Sequence, residues 1–444
     1  MNDTIAAIST ALGEGAIAIV RISGPSALFV ARKILTRNDF PEHSRMYLTT
    51  LHDSDGNMID RVLCVHFKAP RSYTGEDTIE IHTHGGIMAA TACLELALSN
   101  GARLAEPGEF TRRAFINGRI DLAQAEGVLS VITSRSIEAL KAGARTLTGE
   151  LSRAVQKIHD DILTLQANIE IQLDFPEGET LDGFDVAPGI DAAIGELEEL
   201  IPRCSGGMLL SSGVRVVIAG LPNAGKSSLL NALSGHERAI VTPIPGTTRD
   251  IIRENIIIGG IPITLTDTAG LRDSDDVIEA EGVRLAIEAM NDSDICLYVI
   301  DGSKGIAQDD LTHIHALEGR NAIILLSKSD LEHAAGTIEA SCKTLHISAK
   351  THEGIDALRQ AIYDMAAKNS VIASGLNVSA YQLEGLKGAL SALREAAGAV
   401  SVCAGEDVIA GLVGSARESL LRVLGVNAGD ELLESMFGRF CVGK

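Results

Sequence analysis

The stretch Gly220-Leu-Pro-Asn-Ala-Gly-Lys-Ser-Ser228 decides the fold of the region around it. The apolar run Val214-Arg-Val-Val-Ile-Ala219 precedes it, and Leu229-Leu-Asn-Ala-Leu233 follows it. A strand, a glycine-rich loop and a helix in this order are typical of a phosphate-binding P-loop, because the glycines let backbone N–H groups face the phosphates. We expect Lys226 to reach the β- and γ-phosphates and the Ser227 hydroxyl to bind Mg²⁺. The alternative, a plain glycine-rich turn, does not account for the flanking pattern.

Two later segments are predicted to surround the triphosphate and Mg²⁺. Asp267 ends an apolar strand and would hold the Mg²⁺ shell, while the backbone N–H of Gly270 would sense the γ-phosphate. Thr248 lies in a loop rich in proline, glycine and hydroxyl groups, residues 242–250, and would offer Mg²⁺ a second hydroxyl. These positions favour a GTPase.

A guanine-binding loop is expected at Ser327-Lys-Ser-Asp330. The Asp330 carboxylate would accept N1–H and N2–H of guanine, which adenine cannot offer, and the Lys328 stem would lie over the base. Ser348-Ala-Lys350 would donate backbone N–H groups to guanine O6. Asn usually stands where this chain has Ser327, so we expect one contact to be weaker but GTP still to be preferred. The predicted GTP-binding residues are Asn223, Ala224, Gly225, Lys226, Ser227, Ser228, Thr242, Thr247, Thr248, Asp267, Thr268, Ala269, Gly270, Lys328, Asp330, Ser348, Ala349 and Lys350.

Leu271 stands where Ras-like enzymes have the Gln that orients the attacking water. An aliphatic side chain cannot orient water, so the catalytic charge and the water-positioning group must come from elsewhere. Asn223 could offer an oxygen to a monovalent cation beside the phosphates, and Glu279 could position the water. Lys226 and Glu279 are therefore candidate catalytic residues.

The composition limits the classes of protein that remain. A chain of 444 residues, 45% apolar and 22% charged, is long enough for two to four globular domains. Its formal net charge of −21 argues against a protein that coats nucleic acid by charge alone. Seven Cys without CxxC spacing, no basic leader and no long apolar run predict reduced thiols, a cytoplasmic location and no membrane span.

The apolar periodicity divides the chain into four segments. Residues 1–118 alternate strands with turns, which predicts an α+β domain. Residues 119–212 and 369–444 have apolar residues at helical spacing, whereas residues 213–368 alternate strands and helices. We therefore expect a multidomain α+β and α/β protein, with a Ras-like P-loop G domain inserted into a discontinuous helical domain. Ser205-Gly-Gly207 is a predicted hinge before the G domain.

Polar residues also mark the predicted strand ends of the first domain: Arg21, Glu80, His82, His84 and Arg119. They are either solvated edges of a sheet or part of a ligand site, and the pattern leaves both readings open. His82 and His84 share one face and could bind a metal, but no third ligand is evident. The end of the chain, Phe440-Cys-Val-Gly-Lys444, is typical of a free, frayed tail.

Several motifs together resemble the bacterial tRNA-modification GTPases of the MnmE (TrmE) family, over essentially the whole chain. The resemblance is carried by Gly220–Ser228, Thr242–Asp250, Asp267-Thr-Ala-Gly-Leu271, Cys441-Val-Gly-Lys444, Arg21-Ile-Ser-Gly24, Tyr73-Thr-Gly-Glu-Asp77, His84-Gly-Gly86, Pro107-Gly-Glu-Phe110, Asp121-Leu-Ala-Gln-Ala125 and Asp174-Phe-Pro176. The combination is specific, whereas the P-loop alone would not be.

The resemblance implies a first domain that binds tetrahydrofolate and forms a homodimer. A 5,10-methylene-tetrahydrofolate donor, with 5-formyl-tetrahydrofolate as an analogue, would contact Arg21, Glu80, Arg119 and Lys444. The family pattern can have Lys in place of Arg119, and these two side chains are not interchangeable donors. Cys441 matches a cysteine near the modification site and is the third candidate catalytic residue.

The resemblance also implies how GTP hydrolysis is completed and what it serves. A K⁺ ion would take the place of an arginine finger once two G domains meet, and Glu279 would orient the water. The K⁺ ligands would be Asn223, Thr242, Ile244 and Thr247. With the flavoprotein MnmG, the enzyme would add a carboxymethylaminomethyl or aminomethyl group at C5 of wobble uridine 34 of certain tRNAs. The alternatives are a ribosome-assembly GTPase switch and a nucleotide-regulated scaffold without folate.

Overall fold

A computed structural model describes residues 3–36, 43–174, 185–235, 252–267, 293–332, 342–368, 370–426 and 429–444. The chain divides into two compact units, which we describe separately. Unit 1 comprises Met1–Leu129 and Leu420–Lys444, and unit 2 comprises Ser130–Ser419. The helices of the described residues are α1 (Ala27–Ile34), α2 (Ile87–Ser99), α3 (Glu109–Ile116), α4 (Leu122–Thr133), α5 (Ile137–Leu147), α6 (Glu150–Asp174), α7 (Ala187–Ser212), α8 (Lys226–Ser234), α9 (Gln308–Ala316), α10 (Ile355–Ala366), α11 (Ala380–Ser401), α12 (Glu406–Leu424) and α13 (Asp430–Phe437).

Unit 1 is built on a six-stranded sheet of order β3-β4-β5-β2-β1-β6. Its strands are β1 (Ile5–Ile8), β2 (Ile17–Ser23), β3 (Tyr47–His52), β4 (Met58–Phe67), β5 (Thr78–His84) and β6 (Arg103–Leu104). Neighbouring strands pair antiparallel except β1 and β6, which are parallel. The predicted strands at 16–22, 62–67 and 78–82 are confirmed, the last two being longer than expected.

The two faces of this sheet carry different apolar layers because successive side chains of a strand point to opposite faces. In β1, Ala6 belongs to the core that also contains residues of α1 and α2. Ile5 and Ala7 pack instead with Ala105 and Phe110, the latter from α3. Part of the second face is therefore covered by α3, which leads to the polar residues of the candidate site described below.

Unit 2 contains a second six-stranded sheet, of order β12-β11-β10-β7-β9-β8. The strands are β7 (Val214–Ala219), β8 (Ile252–Ile258), β9 (Ile261–Asp267), β10 (Ile295–Asp301), β11 (Ala322–Ser327) and β12 (Lys343–His346). Only β8 is antiparallel to its neighbour, and the predicted hairpin turn at Gly259-Gly260 is confirmed, with φ of +56° and +85°. Because parallel strands end at one edge, the carboxyl ends of β7, β9, β10 and β11 meet there.

Helices from both sides of the nucleotide-binding region pack together in unit 2. Helix α7, which precedes it, packs against α6 and against α11, which follows it. Ala139 and Ala142 of α5 and Leu210 of α7 belong to the same apolar core as strands β7 to β11. The predicted fold class, with a P-loop domain inserted into a discontinuous helical domain, is confirmed.

The predicted hinge at Ser205-Gly-Gly207 is wrong, because these residues lie within α7. A Cβ at Gly206 would lie 2.2 Å from the Val371 carbonyl oxygen, and one at Gly207 would lie 2.0 Å from that of Leu376. The Val371 N–H donates to the Pro202 carbonyl (2.9 Å). The glycines therefore permit a second chain segment to lie directly on the helix. They do not form the flexible hinge that was inferred from their composition.

Candidate functional site

The loop between β7 and α8 has the backbone geometry that its glycines permit. Gly220 and Gly225 have φ of +142° and +100°, and Asn223 has φ of +61°. These values lie in a region that residues with a Cβ rarely adopt. A Cβ at Gly220 would also lie 2.2 Å from the Val299 carbonyl oxygen of β10. The loop thus turns tightly against the sheet edge and ends where α8 begins.

Lys226 and Ser227 begin α8 and lie at the mouth of this loop. The buried Lys226 Nζ donates to the carbonyl oxygens of Gly220 (2.8 Å) and Leu221 (2.9 Å). The Ser227 hydroxyl donates to Oδ2 of Asp267, 2.9 Å away, and Asp267 has no exposed surface. A hydroxyl and a carboxylate at a helix N-terminus are oxygen ligands that Mg²⁺ prefers. The structure thus places Lys226, Ser227 and Asp267 together, three of the residues predicted to bind phosphate and Mg²⁺.

Ser327, the last residue of β11, contacts the P-loop directly. Its hydroxyl lies 2.6 Å from the Ala224 carbonyl oxygen and 3.0 Å from that of Ile300. The side chain is buried, with 5% of the residue exposed. The sequence analysis treated Ser327 only as a missing base contact and did not foresee this hydrogen bond.

Lys328 is held between the P-loop and β10. Its Nζ donates to Oδ2 of Asp301 (2.6 Å) and to the Asn223 carbonyl (3.3 Å), and its backbone has φ of +60°. Burial raises the pKa of Asp301, but the hydrogen bonds from Lys328 and Ser303 outweigh it and leave the pKa lowered. The sequence analysis did not identify Asp301 as a site residue. Asp301 lies at the end of an apolar strand, which is the same pattern that identified Asp267.

Asp330 is exposed at the end of the guanine-binding loop. Its Oδ1 accepts a hydrogen bond from the hydroxyl of the buried Ser348 (2.7 Å). This bond lowers the pKa of Asp330, with a further contribution from the charge of Lys350, and keeps the carboxylate ionised. Ala349 packs against the core of the sheet, and Lys350 is exposed. The carboxylate predicted to bind the base and the predicted donors to guanine O6 therefore lie close together, joined by the bond between Ser348 and Asp330.

The remaining predicted residues of the nucleotide site divide into two groups. Asn223 and Ser228 are exposed on the P-loop and α8, so their polar groups are accessible to a ligand. The residues that lie outside the described part of the chain are Thr242, Ile244, Thr247, Thr248, Thr268, Ala269, Gly270, Leu271 and Glu279. Their roles stay predictions.

In unit 1, Arg21 and Glu80 pair across β2 and β5 and are not the solvated edges that one reading allowed. Arg21 Nε donates to Glu80 Oε1 (2.9 Å), and each side chain is only 16% exposed. The guanidinium lies 5.7 Å from the ring centre of Tyr73 and 5.5 Å from that of Phe110. A charged pair partly enclosed by aromatic rings is a typical lining of a ligand cleft.

The last residues of the chain are bound to unit 1, so the expectation of a free tail is wrong. The Phe110 N–H donates to the Lys444 carbonyl (3.1 Å), and the Ser9 hydroxyl donates to that of Gly443 (3.0 Å). Arg21 Nη1 lies 3.4 Å from the same Gly443 oxygen. Burial, followed by the nearby charge of Arg21, lowers the pKa of Lys444. The tail therefore brings Lys444 to the Arg21–Glu80 pair and leaves Cys441 exposed.

Arg119 and the two histidines have different surroundings in unit 1. Arg119 is exposed and packs over Gly75, its Cγ 3.2 Å from where a Cβ would stand. His82 Nε2 is buried, has no hydrogen-bond partner and lies 3.6 Å from Glu80 Oε2. His84 Nδ1 pairs with Asp60 Oδ1 (2.7 Å). Among the described residues, no group of three or more His, Cys, Asp or Glu is placed to hold a metal ion.

Among the described residues, no helix is both long enough and apolar enough to cross a membrane.

Comparison with known proteins identifies the family. The model described as GTP-binding protein TrmE N-terminus matches residues 4–119, and the MnmE helical domain matches residues 122–441. The tRNA modification GTPases MnmE of Carboxydothermus hydrogenoformans and Symbiobacterium thermophilum are 40% and 42% identical, each comparison covering 100% of both chains. A solved G domain of the T. maritima FeoB iron transporter is 26% identical over 34% of this chain and 98% of its own, with a TM-score of 0.27. The full-length matches show that the chain belongs to the MnmE family of tRNA modification GTPases, enzymes that hydrolyse GTP.

Proposed function

We propose that this chain binds GTP with Mg²⁺ at the P-loop and hydrolyses it as part of tRNA modification. The observation that carries the proposal is the 2.9 Å hydrogen bond between Ser227 and the fully buried Asp267, directly beside Lys226. Ser227 lies on the P-loop helix and Asp267 ends β9, so two separate elements offer oxygen ligands at one point. Such a donor set fits Mg²⁺ bound to a nucleotide.

The described residues have distinct roles in this proposal. Lys226 Nζ exchanges one of its two carbonyl partners for oxygens of the β- and γ-phosphates. Ser227 binds Mg²⁺ directly, Asp267 acts through its hydration shell, and Thr248 adds a second hydroxyl. Mg²⁺ itself neutralises the charge that develops between these phosphates. Asp330 accepts the two N–H groups of guanine, and the stem of Lys328 lies over the base.

Hydrolysis further requires a positive charge and a positioned water molecule. Leu271 can supply neither, so other groups must provide them. We propose that Glu279 orients the water. K⁺, held by oxygens of Asn223 and of the loop residues 242–247, would provide the charge when two G domains of a homodimer meet. The family resemblance alone supports K⁺ binding by the loop residues 242–247. K⁺ binding by Asn223 is supported also by its exposed position on the P-loop.

The cleft of unit 1 is proposed to hold 5,10-methylene-tetrahydrofolate, or 5-formyl-tetrahydrofolate as an analogue. A reduced folate has a pterin edge with N–H donors and a glutamate tail with carboxylates. Glu80 and the His82 nitrogen, which has no hydrogen-bond partner, suit the former, and the cations of Arg21, Arg119 and Lys444 suit the latter. The docked tail would leave Cys441 exposed beside the bound one-carbon donor, as a catalytic candidate.

The proposed product is a tRNA whose wobble uridine 34 carries a carboxymethylaminomethyl or aminomethyl group at C5. The flavoprotein MnmG would be the partner, in the cytoplasm. A net charge of −21 supports this arrangement, since a strongly acidic chain gains little from RNA phosphates and the partner would hold much of the tRNA.

Mass spectrometry of tRNA nucleosides tests the pathway. Cells that lack the chain should lose the modified wobble uridines, and a plasmid copy should restore them. A copy with Asp267→Asn should fail to restore them, because the Mg²⁺ shell loses its carboxylate. Unchanged wobble uridines in the deletion strain would reject the pathway and favour a ribosome-assembly GTPase.

A further inference from the structure

Helix α8 and the β8–β9 hairpin carry the two residues of the proposed Mg²⁺ site. Ser227 is the second residue of α8, and Asp267 is the last residue of β9. Their hydrogen bond of 2.9 Å joins the helix to the hairpin at the nucleotide end of both elements. Beyond this bond, apolar side chains of the helix and of the hairpin share one core. Apolar packing is not directional, so it leaves the position of the helix along the hairpin to polar contacts.

Arg359 of α10 makes such a polar contact at the opposite end of the same two elements. Its Nη1 donates to the Leu233 carbonyl of α8 (3.5 Å), and its Nη2 donates to the Ile257 carbonyl of β8 (3.2 Å). The side chain is half-buried. One guanidinium therefore bridges the end of the P-loop helix and the edge strand of the sheet.

Both carbonyls are in positions that the regular pattern of their own element does not serve. Leu233 lies in the last turn of α8, where carbonyl groups have no partner within the helix and a cation also complements the helix dipole. Ile257 lies opposite Pro262, which has no N–H to donate, and β8 is at the edge of the sheet. The bridge thus depends on a long side chain with two separate donor nitrogens, as arginine has.

The turn of the hairpin is held by the same helix. Gly259 has φ of +56°, and a Cβ on it would lie 2.4 Å from Cδ2 of Tyr363. Tyr363 comes one turn after Arg359 on α10, so the two side chains share a face of the helix. The hairpin is therefore fixed to α10 at two points, and Arg359 joins it to α8 as well.

We propose that Arg359 is a positioning residue for Mg²⁺, which holds α8 in register with the hairpin so that Ser227 and Asp267 meet at one point. Ser227 and Leu233 are about 9 Å apart along the helix axis, so Arg359 acts through α8 and not by contact with the metal. The inference rests on the proposed GTP and Mg²⁺ site and adds to it a residue at the far end of the P-loop helix. It follows that loss of the bridge weakens the part of nucleotide binding that depends on Mg²⁺.

The ratio of nucleotide affinity with Mg²⁺ to affinity without it isolates this effect. The full chain is titrated with a fluorescent GTP analogue that is not hydrolysed, once in saturating MgCl₂ and once in EDTA. Arg359→Met keeps the aliphatic stem and should leave the affinity in EDTA unchanged. It should lower the ratio by about three- to tenfold, because one hydrogen bond with a charged group contributes about tenfold and part of this reaches the metal site.

Gln360→Met is the matched control in the same helix. Gln360 is exposed, and its amide bonds to Asp364 of α10 at 2.8 Å, so this variant should keep the wild-type ratio. Arg359→Lys keeps the charge but has one nitrogen where Arg359 uses two, and it should give an intermediate ratio. It also provides the test if Arg359→Met is unstable.

A double variant distinguishes positioning from a general structural defect. Ser227→Ala removes the hydroxyl of the proposed Mg²⁺ site and should by itself lower the ratio. Addition of Arg359→Met to Ser227→Ala should lower the ratio no further, because both changes act through the same contact.

The contrary results can be told apart. An unchanged ratio in Arg359→Met and Arg359→Lys, with or without a loss of affinity in EDTA, would show that the bridge does not position the Mg²⁺ site. A further loss in the double variant would show that Arg359 acts by a route other than Ser227. A wild-type chain that does not bind the analogue, or whose affinity does not depend on Mg²⁺, would instead reject the proposed function, and the inference with it.

Discussion

At the scale of single residues, Arg113 shows how one buried cation holds α3 to the sheet of unit 1. The residue is 1% exposed, and its guanidinium bonds to Oε1 of Glu109 (2.9 Å), Oδ1 of Asp3 (2.8 Å) and both carboxylate oxygens of Glu76 (3.2 Å each). Glu109 is also buried and accepts a second bond, from Arg103 (2.6 Å). Arg113 and Glu109 are the buried members of this network, so removal of Arg113 deprives the buried Glu109 of one of its two cationic partners.

We expect Arg113→Met to lower the free energy of unfolding of unit 1 by about 3–5 kcal/mol, the usual result of breaking a buried ion pair from one side. Hydrogen exchange of the α3 backbone measures the change locally, which suits a chain of several domains. Lys157→Met is the matched control, because Lys157 pairs with Glu196 on an exposed surface and should have no measurable effect. Equal protection of α3 in both variants would contradict the prediction.

The same network predicts a loss of stability in acid. Hydrogen bonding with Arg103 is the main cause of the lowered pKa of Asp3. Burial raises the pKa of Glu109, but its bonds with Arg103 and Arg113 outweigh this and lower it below 4.5, its ordinary value. A carboxylate with a depressed folded pKa stabilises the fold above its unfolded pKa, and this contribution disappears as the pH falls through the folded pKa.

Glu109→Gln should therefore be less stable than the wild type at neutral pH but lose less stability below pH 4.5. Hydrogen exchange of α3, followed from pH 6 downward with correction for the intrinsic exchange rate, measures both effects. Identical pH dependence in the two proteins would show that the carboxylate does not contribute in this way.

At the scale of elements, α7 is a continuous helix although it contains Pro202, Gly206 and Gly207. The Pro202 and Arg203 carbonyls accept N–H groups of Val371 and Leu376, so the segment that leaves the nucleotide-binding region lies on the helix that leads into it. We expect Gly207→Ala to destabilise unit 2 by about 1–3 kcal/mol, because its Cβ would be 2.0 Å from the Leu376 oxygen and backbone would have to move.

Gly195→Ala in the same helix provides the control. Gly195 is exposed, with no atom within 4 Å of an added Cβ, so this change should raise stability by about 0.5–1 kcal/mol through helix propensity. Thermal unfolding of the two variants, with hydrogen exchange of residues 371–377, gives the comparison. Similar effects of both substitutions would argue against the close packing.

The docked tail is a second element that the proposed folate site depends on. Gly443 has φ of +96°, and a Cβ there would lie 2.3 Å from the Ile8 carbonyl oxygen. Gly443→Ala should therefore displace the tail, remove Lys444 from the cleft and weaken binding of 5-formyl-tetrahydrofolate by about tenfold or more. Isothermal titration measures the affinity.

Val442→Ala, an exposed neighbour in the same tail, should bind like the wild type. If the wild-type chain binds the folate and Gly443→Ala binds it equally well, then the tail does not belong to the ligand site. Absence of binding by the wild type would reject the folate proposal as a whole.

At the scale of the whole molecule, we propose that hydrolysis depends on a cation and on a second chain, because Leu271 stands where Ras-like enzymes have a water-orienting Gln. We expect GTP turnover to be more than about tenfold faster in K⁺ than in Na⁺, since a charge that replaces an arginine finger contributes about 10³–10⁵-fold. Asn223→Ala should abolish the difference. Asn231→Ala, an exposed amide further along α8, should keep it. Equal rates in both salts would contradict the role of K⁺.

Much of the architecture could be predicted from local patterns. The P-loop, the hairpin at Gly259-Gly260, the continuous apolar strands β10 and β11 and the apolar stripes of the helices all follow from residue patterns within short windows. Prediction from local patterns failed where the same short sequence is compatible with two different structures. Gly206 and Gly207 suggested flexibility but permit close packing, and the terminal segment suggested a free end but is hydrogen-bonded to residues of the first domain.

Neighbours along the chain were thus sufficient for the fold class, for the phosphate-binding loop and for the carboxylate of Asp267 at the end of β9, because these depend on periodicity and turn chemistry within about ten residues. The bonds of Arg21 with Glu80 and with the Gly443 carbonyl, the bond from Ser327 to Ala224 and the burial of Arg113 among three carboxylates depend on contacts between residues far apart in the chain. The direction of a side chain, and the contacts between backbone segments far apart in the sequence, follow from the packing of whole helices and strands. A local sequence pattern therefore cannot predict them.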